Sequence, residues 1–440
     1  MARVYLSFLG TNDYVECHYV LRDQASPLVR YVQEAIIGLC CTDWTKDDRL
    51  VFFLTPDAAR HNWEDGYFSD LQGRPKPGLR SRLQAMKLAP AIQPVMIVEG
   101  KNEADIWQLF QTVLQQIKSQ DQVIFDITHA FRSIPLLAMV ILGYAQVIKN
   151  IKIDGIYYGA FEVLGPVQAV RQLPPEQRRA PLFDLTPFSA LLDWTMAIDR
   201  FLGTGDARRV CELAQTQVRP ILKDTRGQDQ EAQAIRRLAG LLENFTKNVG
   251  TCRGREISQD ALALQQALNV TAYPDLLPPL KPLLYRLQKK VQGFSGEVLK
   301  DGLQAARWCL EHNLIQQGLT ILQECLITHF VTQGGLEPTR KEQRDLASQA
   351  AHIFCGNIPP EAWHPLAADH REIVERYQDY FQEHAALAKL FRNLSQPRND
   401  INHAGFVQPR AADALAGELA QFIQQLEALT SPGVKSSYSS

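Results

Sequence analysis

The 440-residue sequence lacks several patterns that are typical of common protein classes. No apolar stretch approaches the roughly 20 residues that a membrane-spanning helix needs. The N-terminal residues MARVYLSFLG also lack the long apolar region of a signal peptide. Neither sign of charge is in large excess, because 46 Lys and Arg stand against 48 Asp and Glu, a net charge of −2. We therefore expect a cytoplasmic protein without a membrane contact, in which only local patches bind nucleic acid or phosphate.

Closely spaced cysteines are also missing. The eight cysteines contain no C-x-x-C pair and mostly lie in apolar stretches such as LCC and IFC. A structural zinc site or a disulfide framework would need a more regular spacing. We therefore expect buried, reduced cysteines and no metal or other cofactor.

Strand and helix signals alternate through the first 185 residues. Buried-strand patterns occur at 49–55, 92–99, 122–128 and 151–162, and the apolar SIPLLAMVILGYAQVIK predicts a helix between the last two. This alternation indicates an α/β domain with a mostly parallel, Rossmann-like sheet. No G-x-G-x-x-G follows the first strand, which argues against NAD or FAD.

The alternation of strand and helix patterns ends at the proline-rich stretch 171–187, whose composition is typical of a linker. From residue 186 to about 430 the periodicity is helical, without alternating β-branched runs. The polar ending 431–440 predicts a disordered tail. The sequence thus predicts an α/β domain over 1–185, an all-α domain over 186–430, and the tail. It contains no internal repeat.

The first strand ends in the unusual loop SFLGTNDY. Ligands of parallel α/β sheets bind beyond the carboxyl ends of the strands. There, Gly10, Thr11 and Asn12 offer backbone N–H groups and a hydroxyl to a phosphate. A Gly-Thr loop is more often an ordinary turn, so the prediction depends on a second loop nearby.

The second loop is DITHAFRSIP, where Thr128, His129 and Arg132 follow a strand and Ser133 precedes the apolar helix. A cation beside a helix N-terminus makes a reasonable anion site. His129 could equally be a structural histidine. Together the two loops predict a pocket for a phosphate-bearing ligand.

These segments resemble type III CRISPR ancillary proteins in which a CARF sensor domain precedes a HEPN domain. The resemblance runs in order through SFLGTNDY, VFFLTPDAARHNW, DITHAFRSIPLLAMVILGY and GIYYGAFE, and it resumes at FDLTPFSALLDW, RFLGTGDARRV and IQQGLTILQE. In that family, CARF domains dimerise and bind a cyclic oligoadenylate across the dimer. The resemblance therefore implies a homodimer or larger oligomer, activated by a cyclic oligoadenylate, with cyclic tetra-adenylate the first choice. The implied ligand contacts are Gly10, Thr11, Asn12, Thr128, His129 and Arg132.

HEPN ribonucleases carry an Arg-x(4–6)-His pattern, and the segment QPRNDINHAGF matches it with Arg398 and His403. Chance supplies such a match easily. A second one, Arg307 and His312, lies within an amphipathic helical pattern. Five helical residues turn the chain by ~140°, so this second pair is predicted to form a solvated face.

The segment around Arg398 predicts the start of a helix. Ser395 or Gln396 is a suitable N-cap, and Pro397 suits the first helical position. Arg398 and Asn399 would then occupy a first turn, whose free N–H groups favour a phosphate. Without the resemblance, a capped surface helix would be the preferred interpretation.

With the resemblance, Arg398, Asn399 and His403 are the predicted catalytic residues of a metal-independent endoribonuclease acting on single-stranded RNA. The histidine would act as general acid or base, the arginine would neutralise the phosphate, and the asparagine would orient the reacting groups. One alternative is a catalytically weak sensor or scaffold. The CARF pocket could also cleave its own ligand, through Thr128, His129 or the Ser7 hydroxyl. A DNA-binding regulator is disfavoured because no basic recognition helix is identifiable.

Overall fold

The computed structural model describes residues 2–70, 72–129, 134–269, 281–406 and 409–430. Two compact units are present, residues 1–190 and residues 191–440. The predicted ligand contact Arg132, the neighbouring Ser133 and the predicted tail 431–440 lie outside the described residues.

An eight-stranded mixed sheet forms the centre of the first unit. Its order is β3-β2-β8-β7-β6-β1-β4-β5. Strands β1, β4, β5, β6 and β7 are parallel neighbours, as β2 and β8 are, whereas the β7–β8 and β2–β3 pairs are antiparallel. The strands are β1 Arg3–Phe8, β2 His18–Leu21, β3 Gln24–Ala25, β4 Arg49–Leu54, β5 Ala91–Met96, β6 Gln122–Asp126, β7 Lys152–Gly159 and β8 Arg179–Asp184.

Five neighbouring parallel strands, β7, β6, β1, β4 and β5, have the order of a Rossmann sheet. Numbered among themselves along the chain, they run 3-2-1-4-5, so the order reverses between β1 and β6. The mostly parallel sheet and the strands predicted at 49–55, 92–99, 122–128 and 151–162 are confirmed. The helices of this unit are α1 Val32–Cys40, α2 Pro56–Ala58, which continues into a π-helical turn, α3 Leu79–Ala85, α4 Glu103–Gln116, α5 Ile134–Lys149 and α6 Val167–Gln172.

The interpretation of 171–187 as a linker is wrong. Residues 179–184 of this stretch form β8, which pairs with β7 on one side and with β2 on the other. Pro181 keeps its acceptor in the β7–β8 pair, because its carbonyl accepts from the Ala160 N–H at 2.9 Å, and the pair lacks only the N–H donor that proline does not have.

Both faces of the sheet are covered. In β1, Tyr5 belongs to the core beneath α1 and α3, whereas Leu6 and Phe8 belong to the core beneath α4 and α5. Alternate residues of a strand point to opposite faces, so the mostly apolar composition of strands β1 and β4 is explained by burial on both sides.

The described part of the second unit consists of helices, with two apolar cores. Helices α12 and α13 contribute to both cores, which centre on Phe245 and Trp308 in one case and on Phe330 and Phe391 in the other. The helix that begins this region is α7 Thr186–Thr204. The others are α8 Arg208–Asp224, α9 Gln230–Gly250, α10 Gly254–Asn269, α11 Lys281–Val291, α12 Val298–Glu311, α13 Ile315–Gln333, α14 Lys341–Gly356, α15 Pro365–Asp369, α16 Arg371–Glu383, α17 Ala385–Asn402 and α18 Ala412–Thr430.

All eight cysteines are free thiols, five of them buried and three partly buried. Burial raises the pKa of the Cys211, Cys309 and Cys325 thiols to about 12, so these three are unreactive side chains of the core. Among the described helices, none is long and apolar enough to cross a membrane.

Candidate functional site

The loops after β1 and β6 lie side by side, because these strands pair in parallel with Ser7 opposite Asp126. The Asp126 carboxylate is fully buried and accepts hydrogen bonds from the Ser7 hydroxyl at 2.7 Å, the Tyr5 hydroxyl at 3.1 Å and the Thr128 N–H at 2.9 Å. Burial raises the pKa of Asp126. This network fixes both loops where the strand order reverses, which is the usual ligand position in such sheets.

The loop Gly10–Asn12 is held in place by the side chain of Asn62, a residue that the sequence analysis did not single out. The amide of Asn62 donates to the carbonyls of Gly10 and Asn12, both at 2.9 Å. A Cβ on Gly10 would overlap the Tyr14 hydroxyl, so the close approach requires glycine here. Thr11 and Asn12 are exposed. Their backbone and polar side chains remain accessible to a ligand.

Thr128 and His129 lie half-buried opposite this loop. The Thr128 hydroxyl accepts from the Gly159 N–H at 2.8 Å, which ties the loop to β7. The His129 ring packs on Tyr14, with ring centroids 4.3 Å apart. Burial lowers the pKa of His129 to about 4, so this side chain is uncharged at neutral pH. It can recognise a ligand by packing and hydrogen bonding, not by charge.

Two buried polar atoms around the Gly10–Asn12 loop have no hydrogen-bond partner among the described residues. They are the Arg30 Nε and the His61 Nε2. A buried polar group without a protein partner is costly unless water or a ligand bonds to it, so these atoms make this edge of the sheet a candidate ligand site.

An aromatic pair extends the same edge. The His61 ring stacks on Tyr67 with centroids 3.8 Å apart, and His61 Nδ1 lies 3.2 Å from the Thr11 carbonyl. Tyr67 is half exposed. Stacked rings of this kind offer a surface for a nucleobase. The sequence did carry a signal that could have identified His61 and Asn62. Both follow β4, a third parallel strand that ends at the same edge of the sheet.

Ser7, the third candidate for ligand cleavage, is fully buried beneath Asp126. Its hydroxyl is a structural hydrogen-bond donor inside the sheet. It does not belong to the exposed part of the site.

In the second unit, the prediction that a helix begins at Pro397 is wrong. Helix α17 starts at Ala385 and runs without a break to Asn402, with Pro397 inside it and His403 as its C-cap. Its position is set by Leu387, Leu390, Phe391 and Leu394, which bury one face at helical spacing. Arg398 and Asn399 therefore lie in the last turns, where the helix presents carbonyl groups and not free N–H groups.

The two Arg–His matches turn out to have the same backbone setting. His312 is the C-cap of α12, as His403 is of α17. In each case the next residue, Asn313 or Ala404, has a left-handed backbone with φ of 56° or 53°. The spacing and the position on the helix therefore cannot tell the two matches apart.

Burial does separate them. His312 is 7% exposed, packs on Trp308 with centroids 4.6 Å apart, and has its pKa lowered by burial. The prediction of a solvated face is thus wrong for His312, while Arg307 forms an ion pair with Glu427. Asn399 and His403, in contrast, are exposed. A histidine must be accessible to exchange protons with a large substrate, so His403 is the better candidate.

Arg398 is half-buried, and its Nε has no hydrogen-bond partner within the described residues. Burial raises the pKa of the nearby Cys252 thiol, and the positive charges of Arg253 and Arg398 oppose that rise. Arg398 and His403 are ~140° apart around the helix axis. Within one chain, the Arg398 side chain and the exposed His403 ring therefore lie at the same helix end but on different sides of the helix.

Comparison with known proteins finds a relative among CRISPR-associated proteins. CRISPR-associated protein MJ1674 of Methanocaldococcus jannaschii is 31% identical over 129 residues, which cover 29% of this chain and 19% of that protein. The chain thus matches less than a fifth of the relative's length. No protein-family model matches the sequence. The similarity supports a relationship with CRISPR-associated proteins.

Proposed function

We propose that this protein is a metal-independent endoribonuclease of type III CRISPR antiviral defence, activated by a cyclic oligoadenylate. The first unit would be the CARF sensor and the second the HEPN ribonuclease. One observation carries the proposal: the loops of Gly10–Asn12 and Thr128–His129 meet at the strand-order reversal of a Rossmann-type sheet, surrounded by unpartnered polar atoms. The similarity to a CRISPR-associated protein supports the setting in CRISPR defence that we propose.

The proposed ligand is cyclic tetra-adenylate. Backbone N–H groups of the Gly10–Asn12 loop would bind phosphate, and the His61–Tyr67 pair would stack with a base. Neutral His129 and Thr128 would contact the ligand from the opposite loop. Arg132 remains a predicted contact in the same loop.

The proposed reaction uses the nucleophile that RNA itself carries. A histidine takes the proton of the 2′-OH, the 2′ oxygen attacks phosphorus, and the bond from phosphorus to the 5′ oxygen breaks. The leaving oxygen takes a proton from a second acid. The products are a 2′,3′-cyclic phosphate and a 5′-hydroxyl. Arg398 would neutralise the charge that develops on the phosphate, and Asn399 would orient the reacting groups.

A second copy of the chain would complete this chemistry. One His403 is a single titrating group, whereas two copies related by a two-fold axis supply both an acid and a base. Helix α5 supports a homodimer, because an apolar stripe on it is exposed. We call this the α5 stripe; it consists of Leu136, Val140, Tyr144 and Val147, with exposed fractions of 73%, 53%, 47% and 78%.

The test is RNA cleavage in the presence of EDTA, with cyclic tri-, tetra- or hexa-adenylate added separately. We expect cleavage of single-stranded RNA with cyclic tetra-adenylate, little without it, and a loss of at least about 100-fold in Arg398→Ala, which removes a charged transition-state contact. The divergence of Arg398 and His403 on one helix favours the alternative, a catalytically weak sensor or scaffold. Tight ligand binding without cleavage under any condition would establish that alternative, and linear adenylate products would reveal cleavage of the ligand itself.

A further inference from the structure

Three cations converge on one carboxylate beside the proposed ligand loop. Asp13, directly after Asn12, lies 3.2 Å from Arg30 Nη2, 2.9 Å from Lys76 Nζ and 2.8 Å from Arg171 Nη2. We call these four residues the Asp13 cluster. Its charges sum to an excess of two positive charges, a combination that attracts a further anion.

The three cations come from separate parts of the first unit. Arg30 precedes α1, and Arg171 belongs to α6. Lys76 lies in the 66–76 loop, where its N–H donates to the Phe68 carbonyl at 2.8 Å and its carbonyl accepts from the Gly66 N–H at 3.0 Å. Elements far apart in sequence thus deliver positive charge to one point of the surface.

Arg30 shows that this point is a built site. Its side chain is 4% exposed and its Nε has no partner among the described residues. The guanidinium also lies 3.4 Å from the Asn62 Oδ1, and Asn62 holds the carbonyls of Gly10 and Asn12. A buried arginine with a spare donor is costly unless an acceptor completes it.

We propose that Arg30, Lys76 and Arg171 form a phosphate subsite of the ligand pocket, which the Asp13 carboxylate occupies as a displaceable counter-ion. A phosphodiester of the ligand takes the place of Asp13, or joins it, and replaces carboxylate–cation pairs by phosphate–cation pairs. The identity of the ligand rests on the proposed function, whereas the subsite rests on the cluster itself.

The experiment measures the Kd of the full-length protein for cyclic tetra-adenylate and for tripolyphosphate. Lys76→Gln and Arg171→Gln are expected to weaken binding of both by about three- to tenfold, and Asp13→Asn to strengthen it by a similar factor. Arg74→Gln is the matched control, because Arg74 carries the same charge in the same loop but pairs locally with Asp70. It should leave both values unchanged.

Two outcomes overturn the subsite. One is an unchanged Kd in both Lys76→Gln and Arg171→Gln. The other is weaker binding in Asp13→Asn together with a lower melting temperature, which would make Asp13 a structural clasp of the loop. If tripolyphosphate binding depends on Lys76 and Arg171 while cyclic tetra-adenylate does not bind at all, the subsite stands and the proposed ligand is wrong.

Discussion

His403 and His312 occupy equivalent positions at the ends of α17 and α12, yet only His403 faces solvent. His312 packs against Trp308, and both of its ring nitrogens are buried, so His312 is part of the core. At the scale of single residues, accessibility and not spacing decides which histidine is available for proton transfer.

We predict that alanine lowers catalytic activity at His403 and lowers stability at His312. His403→Ala should lower ligand-stimulated RNA cleavage by at least about 100-fold and leave the melting temperature within about 1 °C, because an exposed side chain contributes little to stability. His312→Ala should lower the free energy of unfolding by about 1–3 kcal/mol through a cavity, while the activity per folded molecule persists. Thermal unfolding and RNA cleavage of both variants check this. Loss of catalysis in folded His312→Ala alone would place the site at α12.

His129 predicts a pH dependence of stability. Its pKa falls from an ordinary value of about 6.5 to about 4 in the folded protein. Between these pH values the unfolded chain binds one more proton at this position than the folded protein does. The contribution of His129 to the free energy of unfolding is therefore fully present above pH 6.5. It is lost as the pH falls toward 4, by up to about 1.4 kcal/mol per pH unit. Thermal unfolding of wild type and His129→Gln between pH 4 and 7.5 checks the sign. Equal slopes in the two proteins would contradict the prediction.

At the scale of secondary structure, the end of α17 combines a proline with two left-handed residues. Pro397 removes one helix hydrogen bond, to the carbonyl of Asn393. Asn393 is exposed, so water can satisfy that carbonyl, while the Pro397 ring is buried against the core. Ala404 and Gly405 then reverse the chain with φ of 53° and 70°.

This reversal predicts a pair of stability changes with opposite signs. Ala404→Gly should raise the free energy of unfolding by about 0.5–1 kcal/mol, because alanine is strained at this φ. Gly405→Ala should lower it by about 1 kcal/mol for the same reason. Shifts of about 2–4 °C in the melting transition of the helical unit are expected for each kcal/mol. Stabilisation in both variants, or in neither, would contradict this account of the helix end.

The strands were more predictable from sequence than the helix starts and the linker. Strands β4 and β6 contain the uninterrupted apolar segments LVFFL and VIF because both of their faces are buried, which leaves a strong local signal. Pro181 and Pro397 were misleading, since proline also occurs inside a sheet or a helix, where it lacks only its N–H donor. At Pro397 the carbonyl left without that donor belongs to the exposed Asn393 and can bond to water, and this exposure depends on tertiary packing that local sequence does not show.

At the scale of the molecule, the site was only partly predictable. The sequence identified the Gly10–Asn12 and Thr128–His129 loops because each follows a buried strand. Asn62, His61 and the Asp13 cluster were missed because their contacts join residues up to 158 positions apart. Such pairs become neighbours only when the order of the strands is known.

The exposed α5 stripe predicts how the chain associates. Val140→Glu places a charge in the middle of this apolar surface and should convert a homodimer to monomers, with loss of ligand-stimulated cleavage. Val163→Glu is the matched control, because Val163 is 63% exposed and lies outside the stripe. Light scattering during gel filtration measures the mass of each variant. Val140→Glu with an unchanged dimeric mass would show that the stripe is not the interface.

Strand β8 also has a consequence for how the first unit folds during synthesis. It fills the place between β7 and β2, and its partner β2 leaves the ribosome about 160 residues earlier. At about 5–20 residues per second, the β2–β3 hairpin waits roughly 8–30 s for its only described neighbour in the main sheet. A two-stranded hairpin is marginal alone, so the unit closes late, and a fragment that ends before Arg179 leaves two open strand edges.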